Sequence, residues 1–93
     1  MIGLDLKPYR IDFRPGWDRH FRDFDKEIQR RILAKLEHMK QPLSGRWLHS
    51  FRYCVEEVGG CRIAFILDET NRVKHIHFIG NHKQYERWYS GKE

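Results

Sequence analysis

Residues 51–82 read FRYCVEEVGGCRIAFILDETNRVKHIHFIGNH, and this stretch decides the fold. It divides into three strand-like runs, FRYCVEEV, CRIAFILD and RVKHIHFIG, separated by Gly59-Gly60 and by Glu69-Thr70-Asn71. In the first run Phe51, Tyr53 and Val55 alternate with Arg52, Cys54 and Glu56, the period of two expected for a strand with one buried face. In the second, Ile63, Phe65 and Leu67 alternate with Arg62, Ala64 and Ile66. In the third, Ile76 and Phe78 take one side and His75 and His77 the other. Three runs joined by tight turns predict an antiparallel meander. One of its faces needs an apolar cover, while the other gathers arginine and histidine.

The residues upstream supply that cover. Met1 to Pro8 read as a loose leader, and Tyr9 to Phe13 alternate as a first strand ended by Pro15-Gly16. Trp17, Phe21 and Phe24 fall at helical spacing and predict a short helix. Asp25 is placed to cap a longer one carrying Ile28, Ile32, Leu36 and Met39 on one stripe, with Leu33 beside it. Its other side holds Lys26, Arg30, Arg31, Lys35 and Glu37, which suits either a nucleic-acid contact or an ordinary solvated face. Gln41 to Gly45 end the helix, Arg46 to Ser50 lead into the meander, and Asn81 to Tyr89 form an aromatic-basic tail of one or two helical turns. The order is β-α-α-β-β-β plus a short C-terminal tail. It predicts a single domain over residues 1–93: a two-layer α+β fold, with an αα-hairpin packed on an antiparallel meander. The N-terminal strand is expected to dock beside the last, leaving the opposite face open to a ligand.

Ninety-three residues suffice for one core, and 33% charged with 14% aromatic residues describes a compact folded chain. No apolar run approaches membrane-spanning length and no signal-peptide core is visible, so the expectation is a cytoplasmic protein without a membrane partner. Cys54 and Cys61 sit at unmatched distances from the Gly59-Gly60 turn and read as free thiols. A formal charge of +5 and a pI near 9.5 favour polyanionic partners, either nucleic acid or an acidic protein.

By parity Arg52, Cys54 and Glu56 share a face, and Arg62 is expected to join them across the hairpin. His75 or His77 approaches from the third strand, and His82 lies just past its end. Arginine forks hold phosphates, histidine moves protons near neutrality, and Tyr85, Trp88 and Tyr89 are able to stack on unpaired bases. Together these are the parts for cleaving an RNA phosphodiester through the neighbouring 2′-hydroxyl, with no cofactor. Taken singly, each histidine reads as a surface residue or as a strand residue with a satisfied hydrogen bond, whereas Tyr85 and Trp88 serve equally as packing or as base contacts. His75 and His77 have no cysteine or carboxylate at complementary ligand spacing, so no metal site is expected. Nothing marks Cys54 as a covalent nucleophile.

The order of elements resembles the RelE/ParE toxin superfamily of bacterial and archaeal toxin–antitoxin systems, from Tyr9 to Tyr89. Gly60-Cys61-Arg62-Ile63-Ala64-Phe65 looks like the family's G-Y-R-[IL]-x-Y strand, and Ile79-Gly80-Asn81-His82 like its I-G-x-[RH] strand end. Pro42-Leu43-Ser44-Gly45-Arg46-Trp47 resembles the P-L-x-G-x-W segment of the YafQ branch. The resemblance implies a metal-independent RNA endonuclease that cuts messenger RNA on the ribosome and is silenced by a cognate antitoxin. By the same resemblance Arg62 is the phosphate-stabilising arginine, and Arg52 matches the first of two strand lysines if the turn carries one extra residue. His82 matches the YafQ-type histidine. Tyr85 lies near the terminal aromatic position, one residue short, with Trp88 as the competing match. His49, Cys54, His77, Lys83 and Trp88 are expected around them as RNA contacts. Cys54 stands where the second lysine is expected, and Gln41 where the YafQ branch has a histidine, with His49 a few residues later. The alternative within the superfamily is a ParE-like inhibitor of DNA gyrase, which shares the strand pattern but lacks a catalytic set. A double-stranded-RNA-binding domain has α-β-β-β-α order, against which the initial strand and paired helices argue.

Overall fold

A computed structural model of the 93-residue chain describes residues 7–41, the backbone of residues 48–50, and residues 53–91. The leader expected over Met1 to Pro8 therefore lies mostly outside the described residues. The first strand, β1 (Arg10–Phe13), is followed by turns and then by the long helix α1 (Lys26–His38). Asp25 caps α1 as expected, its Oδ1 accepting the Ile28 amide at 2.9 Å. That cap explains why the expected first helix is absent. A capping residue takes an extended backbone, and both Phe24 (ψ 152°) and Asp25 (ψ 166°) do so. The segment Trp17–Phe24 is left with a single 3₁₀ turn, Phe21–Asp23. Its aromatics still cover the core: Trp17 packs, with its ring tilted, between Phe13 (4.4 Å between ring centroids) and Phe21 (5.3 Å).

Five strands form one sheet in the order β1-β5-β4-β3-β2. The meander supplies β3 (Tyr53–Val58), β4 (Cys61–Asp68) and β5 (Val73–Asn81), while Phe51 and Arg52 lie outside the described residues. Leu48–Ser50, expected only to lead into the meander, forms a further strand, β2, antiparallel to β3. β1 docks beside β5, as anticipated, and the two strands run parallel. Arg72 fixes that junction from the β4–β5 turn. Its guanidinium lies 4.0 Å from the Tyr9 ring centroid and donates to the Tyr9 hydroxyl (3.0 Å), Glu69 Oε1 (3.1 Å) and the Lys7 carbonyl (2.7 Å).

Parity across the β3–β4 hairpin corrects the expected polar face. Gly59 and Gly60 both have positive φ and close a two-residue loop in which Val58 pairs with Cys61. Cys54 is then opposite Phe65 and Glu56 opposite Ile63, all facing α1, whereas Arg62 is opposite Glu57 on the other side. Arg62 therefore does not share a face with Cys54 and Glu56. A second correction comes from β5. One extra residue, His77, is accommodated between the pairs Phe65↔Ile76 and Ala64↔Phe78. This bulge puts Ile76 under α1 and Phe78 on the opposite face, where strict alternation would place them together.

The face under α1 holds Ile32, Leu36 and Met39 of the helix against Cys54, Cys61, Ile63, Phe65, Ile76 and Ile79. Both cysteines are free thiols, and burial pushes their pKa values up. The opposite face was expected to be open. It carries its own cluster, Tyr53, Val55, Ala64, Phe78 and Tyr85, with Trp88 and Tyr89 packed beside them. The tail is responsible: it forms α2 (His82–Ser90), whose aromatics lie on β4 and β5. Among the described residues no helix is long and apolar enough to cross a membrane.

Candidate functional site

Two strand ends and a helix start meet where β4 begins. Arg62 pairs with Glu57 of β3 on one side and with Gly80 of β5 on the other, so both neighbours present their next residues to it. β5 ends at Asn81, whose side chain accepts the Gln84 amide (2.8 Å) while the Gln84 side chain accepts the Asn81 amide (2.8 Å). This reciprocal cap starts α2 at His82 and sets the direction in which its imidazole leaves the sheet. Gly80 is required for the close approach. A Cβ there would lie 2.7 Å from the Phe78 ring and 3.0 Å from Gln84 Cβ.

The result is a cluster of three groups. Arg62 Nε donates to Glu57 Oε2 at 3.2 Å, and His82 Nε2 is 3.9 Å from the same oxygen. Arg62 is mostly covered, its side chain 24% exposed, because its guanidinium rests 5.1 Å from the centroid of the Tyr85 ring. Glu57 and His82 are about half exposed. One anionic oxygen is thus shared by a fixed cation and a group able to exchange protons. Sequence reasoning missed Glu57 because strand parity was drawn through Glu56, its neighbour on the opposite face. The pairing sum set by the two-glycine loop was the signal that could have found it.

The other expected residues are distributed unevenly. Tyr85 is buried against the sheet, and among the described residues its hydroxyl has no hydrogen-bond partner. Trp88 stacks on Phe78 (4.8 Å, 13° between planes) and meets Tyr53 edge-on (4.9 Å). His77 is half-buried, edge-on to Tyr53 at 5.3 Å, within the same cluster. Lys83 is exposed on the first turn of α2. Cys54 is buried beneath α1, across the sheet from Arg62. Arg52 lies outside the described residues, and of His49 only the backbone, in β2, is described. The basic side of α1 is partly neutralised. Lys35 reaches the buried Glu56 at 3.0 Å, and Arg30 pairs with Glu27 at 2.6 Å.

His75 has a separate position. Its Nδ1 is 2.8 Å from Asp12 Oδ2 on β1 and its Nε2 3.9 Å from Asp68 Oδ2, so it ties three strands together at the far end of the sheet. The hydrogen bond from His75 holds the Asp12 carboxyl below its usual range, and hydrogen bonds from Asn71 do the same for Asp68. Among the described residues no group of three or more histidine, cysteine or acidic side chains is placed to hold a metal ion.

No protein-family model matches the sequence, and no curated protein is found similar to it. Solved structures do match. The RelBE2 toxin–antitoxin complex of Mycobacterium tuberculosis superposes with a TM-score of 0.66 at 18% identity, covering 83% of this chain and 97% of that one. The chain has the fold of the RelE toxins. The archaeal RelE–RelB complex of Pyrococcus horikoshii gives a TM-score of 0.64 at 14% identity, over 80% of this chain and 94% of that one. The isolated RelE toxin of E. coli gives 0.61 at 14% identity, over 91% and 99%.

Proposed function

We propose that this chain is the toxin of a toxin–antitoxin pair, an endonuclease that cuts messenger RNA on the ribosome in the cytoplasm. The observation that carries the reading is the convergence of Arg62 and His82 on one carboxylate oxygen of Glu57, on a sheet with the RelE fold. A phosphodiester oxygen replacing that carboxylate would meet a guanidinium and an imidazole together. In the reaction the 2′-oxygen attacks phosphorus, its proton passes to a base, and the 5′-oxygen departs with a proton from an acid. The products are a 2′,3′-cyclic phosphate and a 5′-hydroxyl. Arg62 offsets charge on the crowded phosphate, and His82 exchanges one of the two protons. Arg52 and Tyr85 are further candidates for the catalytic set, and Lys83 and Trp88 for holding the strand, as the resemblance implies.

The partner in this reading is an acidic antitoxin with apolar anchors, as the complexes with the same fold support. β1 is an edge strand, and a groove of about 550 Å³ runs between it and α1. Phe13 and Leu33 are exposed along it, with Arg10 and Lys40 beside them. Such a groove suits a helix, and the edge suits an added strand.

Single-turnover cleavage of a messenger programmed into ribosomes tests the chemistry. His82→Ala should slow cleavage by about a hundredfold or more, the usual loss for a positioned acid–base group, with little change in ribosome binding. Arg62→Ala should reduce cleavage and also flatten the salt dependence of binding. Absence of cleavage by the unmodified protein removes the nuclease reading.

A further inference from the structure

A second cleft lies on the outer flank of α2, away from the Arg62 cluster. It encloses about 280 Å³ and is lined by Arg19, His20, Phe78, Gln84, Arg87 and Trp88. Gln84, Arg87 and Trp88 are three and four residues apart and so share one side of the helix. Arg19 and His20 come from the turn after β1. Gly16, at φ +88°, permits that turn, and the packing of Trp17 between Phe13 and Phe21 anchors it.

The lining chemistry is specific. One wall is aromatic, with Phe78 and Trp88 stacked in near-parallel and His20 set edge-on to Phe78 at 5.5 Å. The rim carries two exposed guanidinium groups, Arg19 and Arg87. Among the described residues neither makes a side-chain ion pair or hydrogen bond. Asp18, next to Arg19, is already taken by Arg22 at 3.2 Å, and among the described residues no carboxylate lines the cleft. The Gln84 carbonyl is used by the helix cap, which leaves its amide N–H groups to donate.

We propose that this cleft is a nucleotide-binding subsite, taking one base of a single-stranded RNA against the partly exposed Trp88 and His20 rings, with buried Phe78 behind them, and the attached phosphate between Arg19 and Arg87. Planar rings accept any base through its π face, and an arginine pair is suited to a phosphate. An acidic peptide would satisfy the arginines but leave the aromatic wall unused. Trp88 lies about 9 Å along the helix axis from His82, so the bound nucleotide would be a near neighbour of the one at Arg62. The inference rests on the RNA reading only for the strand that supplies the nucleotide.

The test is titration of the full chain with each nucleoside 5′-monophosphate, followed by the NMR signals of the Trp88 indole N–H and the His20 ring. Saturable shifts of both signals are expected. The unphosphorylated nucleosides, inorganic phosphate and a poly-glutamate peptide should each bind more weakly. Arg19→Ala and Arg87→Ala, both at exposed positions, should each weaken nucleotide binding about three- to tenfold, in line with losing one partly screened charge contact. Absence of shifts at millimolar nucleotide, or tighter binding of inorganic phosphate or poly-glutamate than of nucleotide, overturns the subsite. Because the measurement needs no ribosome, it is independent of the cleavage assay. Lost cleavage with intact nucleotide binding counts against the nuclease alone, and the reverse result against the subsite alone.

Discussion

Glu57 is the residue on which the candidate site turns. Its carboxylate satisfies Arg62 and faces His82, but a phosphate approaching the same two groups would meet a like charge at half-exposed depth. Removing that charge while keeping the shape should favour the phosphate. Glu57→Gln is therefore expected to tighten binding of single-stranded RNA about three- to tenfold, the scale of one partly screened charge contact. A fluorescence titration with a short oligonucleotide at two salt concentrations measures it. Weaker binding would end the view of Glu57 as an anion that yields to substrate. Unchanged binding with lost cleavage would instead make it a proton acceptor in the chemistry.

At the scale of elements, what the sequence made legible depended on whether a single local rule governed the segment. Asp25 before a 3.6-residue apolar stripe specified α1, and alternation between glycine-rich turns specified β3, β4 and β5. The same cap at Asp25 overrode the aromatic spacing of Trp17, Phe21 and Phe24, since a residue cannot cap one helix and continue another. The His77 bulge left no trace in the pattern, because Ile76 and Phe78 are both apolar and either face accepts them. β2 was hidden because three residues are too few to establish alternation. Arg62 and His82 were named as candidates from their chemistry and lie together at Glu57, while Cys54 was misplaced by a parity argument that stopped at the hairpin loop. Because α1 starts at one identifiable hydrogen bond, Asp25→Ala should cost about 1 kcal/mol in a denaturant unfolding experiment, and Asp25→Ser should recover most of it. Equal losses for both substitutions would mean that charge at the helix start, not the cap, is what matters.

For the molecule as a whole the informative residue is Lys74, which is buried where four elements meet. Its Nζ donates to the Met39 carbonyl at the end of α1 (2.7 Å) and lies over the rings of Tyr9 (4.8 Å) and of Phe65 on β4 (5.4 Å). Burial lowers its pKa from the ordinary 10.5, and Glu56, Cys54 and Glu69 oppose that shift by attraction while Lys35 adds to it. A lysine with a depressed folded value sheds its proton in the folded state first. As pH rises through that value towards 10.5, the unfolded chain binds more protons and this residue's contribution to stability increases. Tyr9, Cys54 and Cys61 act in the opposite sense, because their values are raised and the unfolded chain loses those protons first. Total stability is thus a poor readout, but a comparison with Lys74→Met cancels most of the opposing contribution. Methionine fills a similar volume and removes the buried charge, and Glu56 keeps Lys35 as its partner at 3.0 Å. The Met39 carbonyl loses its donor, which costs about 1–3 kcal/mol, against a comparable gain from not burying a cation. Lys74→Met is therefore expected to match the wild type at pH 7 within about 1 kcal/mol, and to lose ground to it steadily as pH approaches 10. Urea unfolding of both proteins across that range measures the difference. A gap that stays constant with pH would mean that Lys74 keeps an ordinary titration despite its burial.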